Sequence, residues 1–193
     1  MTGVHIPTPV GTRPIRALVL GGARSGKSTW AEGRMAPFSE VTYIATSARN
    51  PDDPEWEERI RLHRARRPAS WTTLETLEIA SELRRRADSA VLVDCLGVWI
   101  TRELDEVGAW SSSEAGNADW QPALHSRVDD LVDAIHRTTR EVVLVSNEVG
   151  MGVVPETPAG RLFRDELGRL NAAVAGACDE VWLCVAGIPK RWA

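Results

Sequence analysis

The stretch Gly21-Gly22-Ala23-Arg24-Ser25-Gly26-Lys27-Ser28 limits what this chain can fold into more than any other. It reads G-x-x-x-x-G-K-S, a loop that closes around a chain of phosphates. Such a loop needs a strand before it and a helix after it. Ile15-Arg16-Ala17-Leu18-Val19-Leu20 is a largely apolar run that stops at a glycine pair, as a buried strand does. Ser28-Thr29-Trp30-Ala31-Glu32 carries no breaker before Gly33 and opens a helix. Gly21, Gly22 and Gly26 permit backbone angles that a side chain forbids, so the loop can curl with its N–H groups inward. The helix start adds a partial positive charge. Lys27 supplies a full charge for the β- and γ-phosphates, and the Ser28 hydroxyl is an oxygen donor for Mg²⁺. An incidental Gly-rich turn is the bland alternative, and the flanking strand and helix argue against it.

The rest of the chain continues the alternation of strand and helix. The first strand is predicted over 16–20, with the loop helix running to Met35 and stopped by Pro37. Strands are also predicted over 41–45, 90–94, 141–146 and 180–185, each a short apolar or β-branched run. Helices are predicted from Pro54 or Glu55 to Arg67, then over 77–86, from Cys95 to 104, over 121–138, and over 160–176. Residues 71–75 read as a short extended segment, 107–119 as a surface loop, and 187–190 as a tail turn. Buried apolar strands alternating with helices predict a P-loop NTPase-type, mostly parallel α/β sheet with helices on both faces. Residues 14–193 read as one domain, and 1–13 as an extended, mobile arm.

Composition closes off several function classes. A net charge of −4 argues against a general nucleic-acid binder. No apolar run approaches a membrane span, and no secretion signal opens the chain, so a cytoplasmic protein is predicted. Cys95, Cys178 and Cys184 show no C-x-x-C spacing and sit in or beside apolar runs, as small hydrophobic residues do.

Four further stretches carry candidate chemistry. Ala90-Val91-Leu92-Val93-Asp94 is a Walker B pattern, with Asp94 expected at the strand's carboxyl end beside the phosphate loop and facing the metal. A strand-terminal Asp also serves as a structural cap. Ala45-Thr46-Ser47 and Asn147–Gly152 follow two other strands, at the edge where open α/β sheets bind ligands; both also read as plain βα turns. Arg59-Ile60-Arg61-Leu62-His63-Arg64-Ala65-Arg66-Arg67-Pro68 places a histidine in a basic helix. That is often a solvated face. An imidazole near phosphates can instead attack phosphorus and form a transferable phosphoramidate, with arginines steadying the oxygens.

These stretches resemble the bifunctional adenosylcobinamide kinase/adenosylcobinamide-phosphate guanylyltransferase family of cobalamin biosynthesis. The likeness rests on GGARSGKS, YIATS, RIRLHRARRP with Trp71, Thr73 and Glu75, VDCL, VLVSNEVGMG with Val154-Pro155-Glu156, and FRDELGRLN. It implies that a nucleoside triphosphate, ATP or GTP, phosphorylates adenosylcobinamide. GMP is then transferred from GTP to adenosylcobinamide phosphate through a GMP–histidine intermediate. The matching histidine is His63, the catalytic nucleophile, with Lys27 as its catalytic partner on the polyphosphate. Nucleotide contacts carry over to Gly21–Ser28, Ala45, Thr46, Ser47, Arg66, Arg67, Pro68, Ala69, Glu75 and Asp94, and Mg²⁺ contacts to Ser28 and Asp94. Glu55 or Glu75 would orient the imidazole. A homotrimer is also implied. The chain departs from the family pattern at Trp56, at Thr157–Gly160, at Asn171-Ala172 and in its longer arm, none of which touches the loop, His63 or Asp94. Two rival readings share the same fold. A simple small-molecule kinase would not need His63, and a non-enzymatic GTP-dependent switch would not bind a corrinoid.

Overall fold

The computed structural model describes residues 14–47, 58, 61, 64, 67–114 and 118–193. The elements are β1 (Arg16–Gly21), α1 (Lys27–Met35), β2 (Val41–Ala45), β3 (Thr72–Glu75), α2 (Ile79–Arg84), β4 (Ala90–Asp94), α3 (Leu96–Glu106) and α4 (Ala109–Glu114). They continue with α5 (Gln121–Arg137), β5 (Val142–Asn147), α6 (Pro158–Ala177), β6 (Glu180–Val185) and β7 (Ile188–Arg191). Glu58, Arg61 and Arg64 are helical and exposed. The predicted arm and most of the predicted 54–67 helix, including Glu55, Arg59, His63 and Arg66, lie outside the described residues.

The strands form one sheet in the order β3-β2-β4-β5-β1-β6-β7. All pairings are parallel except β6 with β7. Parallel strands need both faces covered, and β1 shows how. Ala17 and Val19 pack into one core and Leu18 into the other, each at 1% exposure or less. The two cores are unequal. Among the described helices, α1 alone covers the face holding Ala17, Tyr43, Leu92 and Val143. Helices α2 to α6 cover the other, against Leu18, Ile44, Val93 and Leu144.

This asymmetry sets the site. β1 and β5 are adjacent and parallel, yet the chain leaves β1 for one face through α1 and leaves β5 for the other through α6. Loops diverging from neighbouring strands open a crevice at their carboxyl ends. Gly21 lies opposite Asn147 there.

Two expectations are corrected. Residues 109–114 are helical rather than part of a loop. Gly108, at φ 66°, ends α3 in the left-handed region, and Ala109 is then buried against the core. Residues 188–191 are a strand rather than a turn. Val185 pairs with Ile188, which leaves Ala186 and Gly187 as the hairpin loop, at φ 51° and 79°. Two central residues with positive φ make the hairpin turn that matches strand twist, and Ala at the first position gives no sequence signal for it. Pro189 is tolerated because β7 is an edge strand.

Candidate nucleotide site

The phosphate loop is held from three sides. Gly187 N–H donates to the Ser25 carbonyl at 2.9 Å, which docks the β6–β7 hairpin on the loop. Glu148 N–H, just after β5, donates to the Gly21 carbonyl at 3.1 Å, and Ser25 N–H donates to the Gly22 carbonyl at 3.3 Å. Gly26 caps α1 at φ 92°, a conformation that strains any residue with a side chain. Lys27 Nζ donates back to the Gly22 carbonyl at 3.2 Å, so its charge lies over the loop. Ser25 is buried, and its Oγ has no hydrogen-bond partner among the described residues. Leaving a buried hydroxyl unsatisfied costs about 1–3 kcal/mol. A phosphate oxygen in the loop would satisfy it.

Next along the edge, β5 ends in a polar junction. Ser146 Oγ donates to Asn171 Oδ1 at 2.6 Å, and Asn171 Nδ2 donates to the Asn147 carbonyl at 3.0 Å. The Asn147 side chain meets Cys95 Sγ at 3.7 Å. Burial, and then the Asp94 charge, push the Cys95 thiol up, so it is a neutral packing group rather than a nucleophile. Burial likewise pushes Cys178 up to about 12 and raises Cys184. All three cysteines are free.

Asp94 ends β4, but β5 stands between β4 and β1. The expected neighbour of the loop is thus one strand further away, about 10 Å between strand axes. Tyr43 O–H donates to Asp94 Oδ2 at 3.0 Å. Thr46 uses its hydroxyl to tie the ends of β2 and β4, donating to the Cys95 carbonyl at 2.8 Å and accepting from Cys95 N–H at 3.0 Å. Ala45 pairs with both Asp94 and Glu75, which brings the ends of β2, β3 and β4 into line.

Arg67 closes this side. Its guanidinium lies 3.7 Å over the Tyr43 ring, and Nη1 donates to Thr73 Oγ1 at 3.1 Å. Half-burial lowers its pKa, while the negative charges of Glu32 and Asp94 oppose that shift. Burial is also the main reason the Tyr43 phenol is pushed far up, with the Asp94 charge second, so the hydroxyl stays a donor. Arg64 pairs with Glu75 at 2.8 Å, with both side chains exposed.

The arrangement is a rim of oxygen donors and cations at the carboxyl ends of β1 to β5. Residues 17–192 match the family described as cobinamide kinase / cobinamide phosphate guanyltransferase, CobU. The chain belongs to this family. It is 42% identical over 175 residues to the bifunctional adenosylcobalamin biosynthesis protein CobU of Salmonella typhimurium, covering 89% of this chain and 96% of that one. It is 42% identical over 180 residues to the corresponding CobP of Pseudomonas aeruginosa, covering 91% and 95%. An ATPase of the type III secretion system of pathogenic bacteria shares the fold at 12% identity and a TM-score of 0.54. That match covers 89% of this chain and 51% of the ATPase, so the chain spans about half of its length.

The candidate residues of this CobU-family chain fall into two groups. Gly21–Ser28, Ala45, Thr46, Ser47, Glu75 and Asp94 lie at or next to the carboxyl ends of their strands, while Arg67 reaches Tyr43 and Thr73 from the segment before β3, and Pro68 and Ala69 lead into the amino end of β3. His63 and Arg66 lie outside the described residues. Sequence reading did not assign Tyr43, Asn171 or the 186–187 turn to the site. Tyr43 reads as one more apolar strand residue until the fold sets Asp94 against its hydroxyl.

Proposed function

We infer that this chain is a bifunctional cobinamide kinase and cobinamide phosphate guanylyltransferase. The observation that carries this reading is a family match that spans residues 17–192 and so includes the phosphate loop, the His63 segment and Asp94 together. In this reading residues 14–193 act as one unit, with residues 1–13 as an arm outside it. First, the hydroxyl of adenosylcobinamide attacks the γ-phosphorus of a nucleoside triphosphate, ATP or GTP, and the nucleoside diphosphate leaves. Second, the neutral His63 imidazole attacks the α-phosphorus of GTP, and the bond to pyrophosphate breaks. The phosphate of adenosylcobinamide phosphate then displaces His63 and takes the GMP.

The chain's own groups support both steps. The loop N–H groups and Lys27 hold the polyphosphate, which is the leaving portion in the second step. Arg67, with Arg59 and Arg66 on the same segment, offsets charge on the phosphate oxygens. Glu75 already pairs with Arg64, which favours Glu55 as the acid that orients His63. Ser28 and Asp94 are hard oxygen donors, and no cluster of three or more His, Cys, Asp or Glu able to hold a metal exists among the described residues. Few protein ligands with phosphate and water completing the shell suit Mg²⁺. Bound there, Mg²⁺ would neutralise the polyphosphate charge. The working assembly is a cytoplasmic homotrimer. No described helix is long and apolar enough to cross a membrane.

Incubation with α-labelled GTP and Mg²⁺ tests the reading. Wild-type protein should take up label that is acid-labile and base-stable, His63→Ala should take up none, and Lys27→Ala should lose both activities. Wild type without label would leave a kinase alone. Absence of any change in corrinoid absorbance on titration with adenosylcobinamide would leave a nucleotide switch.

A further inference from the structure

Tyr43 is 5% exposed and sits in β2, away from the phosphate loop, yet it touches two charged groups of the proposed site. Its hydroxyl donates to Asp94 Oδ2 at 3.0 Å. Its ring lies under the Arg67 guanidinium, 3.7 Å from the centroid. Arg67 directly ends the segment that carries His63, and its N–H donates to the Arg64 carbonyl at 3.2 Å. Thr73 of β3 steadies the far side of the same guanidinium at 3.1 Å. One phenol thus joins an acid to a cation without itself standing at the rim.

We propose that Tyr43 is the positioning residue that aligns Asp94 through its hydroxyl, for the chemistry of both steps, and Arg67 through its ring, for GTP binding. The two roles use different atoms and therefore separate by substitution. A hydrogen bond to a charged group is worth about 1.5–3 kcal/mol, or roughly 10- to 150-fold in rate if it is made for the reacting geometry. A cation stacked on a half-buried ring contributes about 1–2 kcal/mol, or roughly 5- to 30-fold. The proposal rests on the bifunctional reading.

The experiment compares Tyr43→Phe with Tyr43→Leu in the full chain. Phe keeps the stack and loses the bond to Asp94. It should lower kcat for phosphorylation and the rate of α-labelling about 10-fold or more, while the GTP dissociation constant stays within about twofold of wild type. Leu loses both contacts. It should in addition raise the GTP dissociation constant about 5-fold or more, measured calorimetrically without turnover. Rescue of GTP binding, but not of phosphorylation, by the aromatic ring is the signature. A purely structural tyrosine would leave the GTP dissociation constants of the Phe and Leu variants equal. That outcome overturns the proposal, as would a Phe variant equal to wild type. If wild-type protein takes no label, the bifunctional reading fails, and calorimetric GTP binding to the same two variants still decides the role assigned to the ring.

Discussion

Gly21 shows how little room a residue in the loop has. A Cβ there would lie 2.4 Å from Ser25 Oγ and 2.7 Å from the Cys184 carbonyl oxygen, both inside contact distance. At Gly22 nothing lies within 4 Å. The two neighbouring glycines therefore differ in kind. One is demanded by packing of the loop on β6, and the other leaves the loop open to a ligand. Gly21→Ala is expected to destabilise the chain by about 1–3 kcal/mol. Gly22→Ala should stay within about 0.5 kcal/mol of wild type. Urea unfolding of the pair checks this, and equal midpoints would contradict the packing described for the loop.

Among the elements, the α2–α5 contact is electrostatic at its outer edge. Arg84 on α2 reaches Asp130 Oδ1 at 2.7 Å and Asp133 Oδ2 at 3.3 Å on α5. Arg84 holds the Asp130 carboxyl below its ordinary 3.8, and Arg137 first, then Arg84, does the same for Asp133. A carboxylate whose folded pKa is depressed contributes stability that is present above 3.8 and lost as pH falls through the folded value. The urea midpoint of wild type should therefore fall more between about pH 5 and about pH 3 than that of Arg84→Met. Because these groups are exposed, salt should narrow the gap. Parallel pH curves for the two proteins at low salt would show that the contact contributes nothing to folding.

For the whole molecule, Arg140 ties the amino ends of the sheet together, opposite the nucleotide edge. Its guanidinium donates to Glu82 Oε1 at 3.0 Å, Thr42 Oγ1 at 3.0 Å, and Ser89 Oγ and carbonyl at 2.8 Å each. The Arg140 and Glu82 side chains are 2% and 7% exposed. Removing one partner of such a buried pair costs about 3–5 kcal/mol. Arg85 also reaches Glu82, which sets the expectation for Arg140→Met at the lower end of that range. The expected result is a lower midpoint with an unchanged slope in urea, and a GTP KM equal to wild type in the folded fraction. A raised KM would mean that the two edges of the sheet are coupled.

The sequence by itself determined the phosphate loop, the main parallel strands and the strand-terminal position of Asp94. Those features depend on contiguous residues: apolar runs for burial on both faces, glycines for φ, and Lys-Ser at a helix start. The 54–67 helix and His63 were also read locally, and His63 with most of that helix lies outside the described residues. The order of the strands was not legible, so β5 came between the loop strand and Asp94 without local warning. Nor was the 186–187 turn, where Ala adopts an angle that Gly or Asn usually signals. Tyr43 is the sharpest case. Its partner Asp94 is 51 residues away in the chain, and they meet because β2 and β4 happen to be neighbours. Strand formation is a local balance of sterics and burial. Strand order, and every contact made across it, is decided by how the crossover helices pack, and only the tertiary structure contains that.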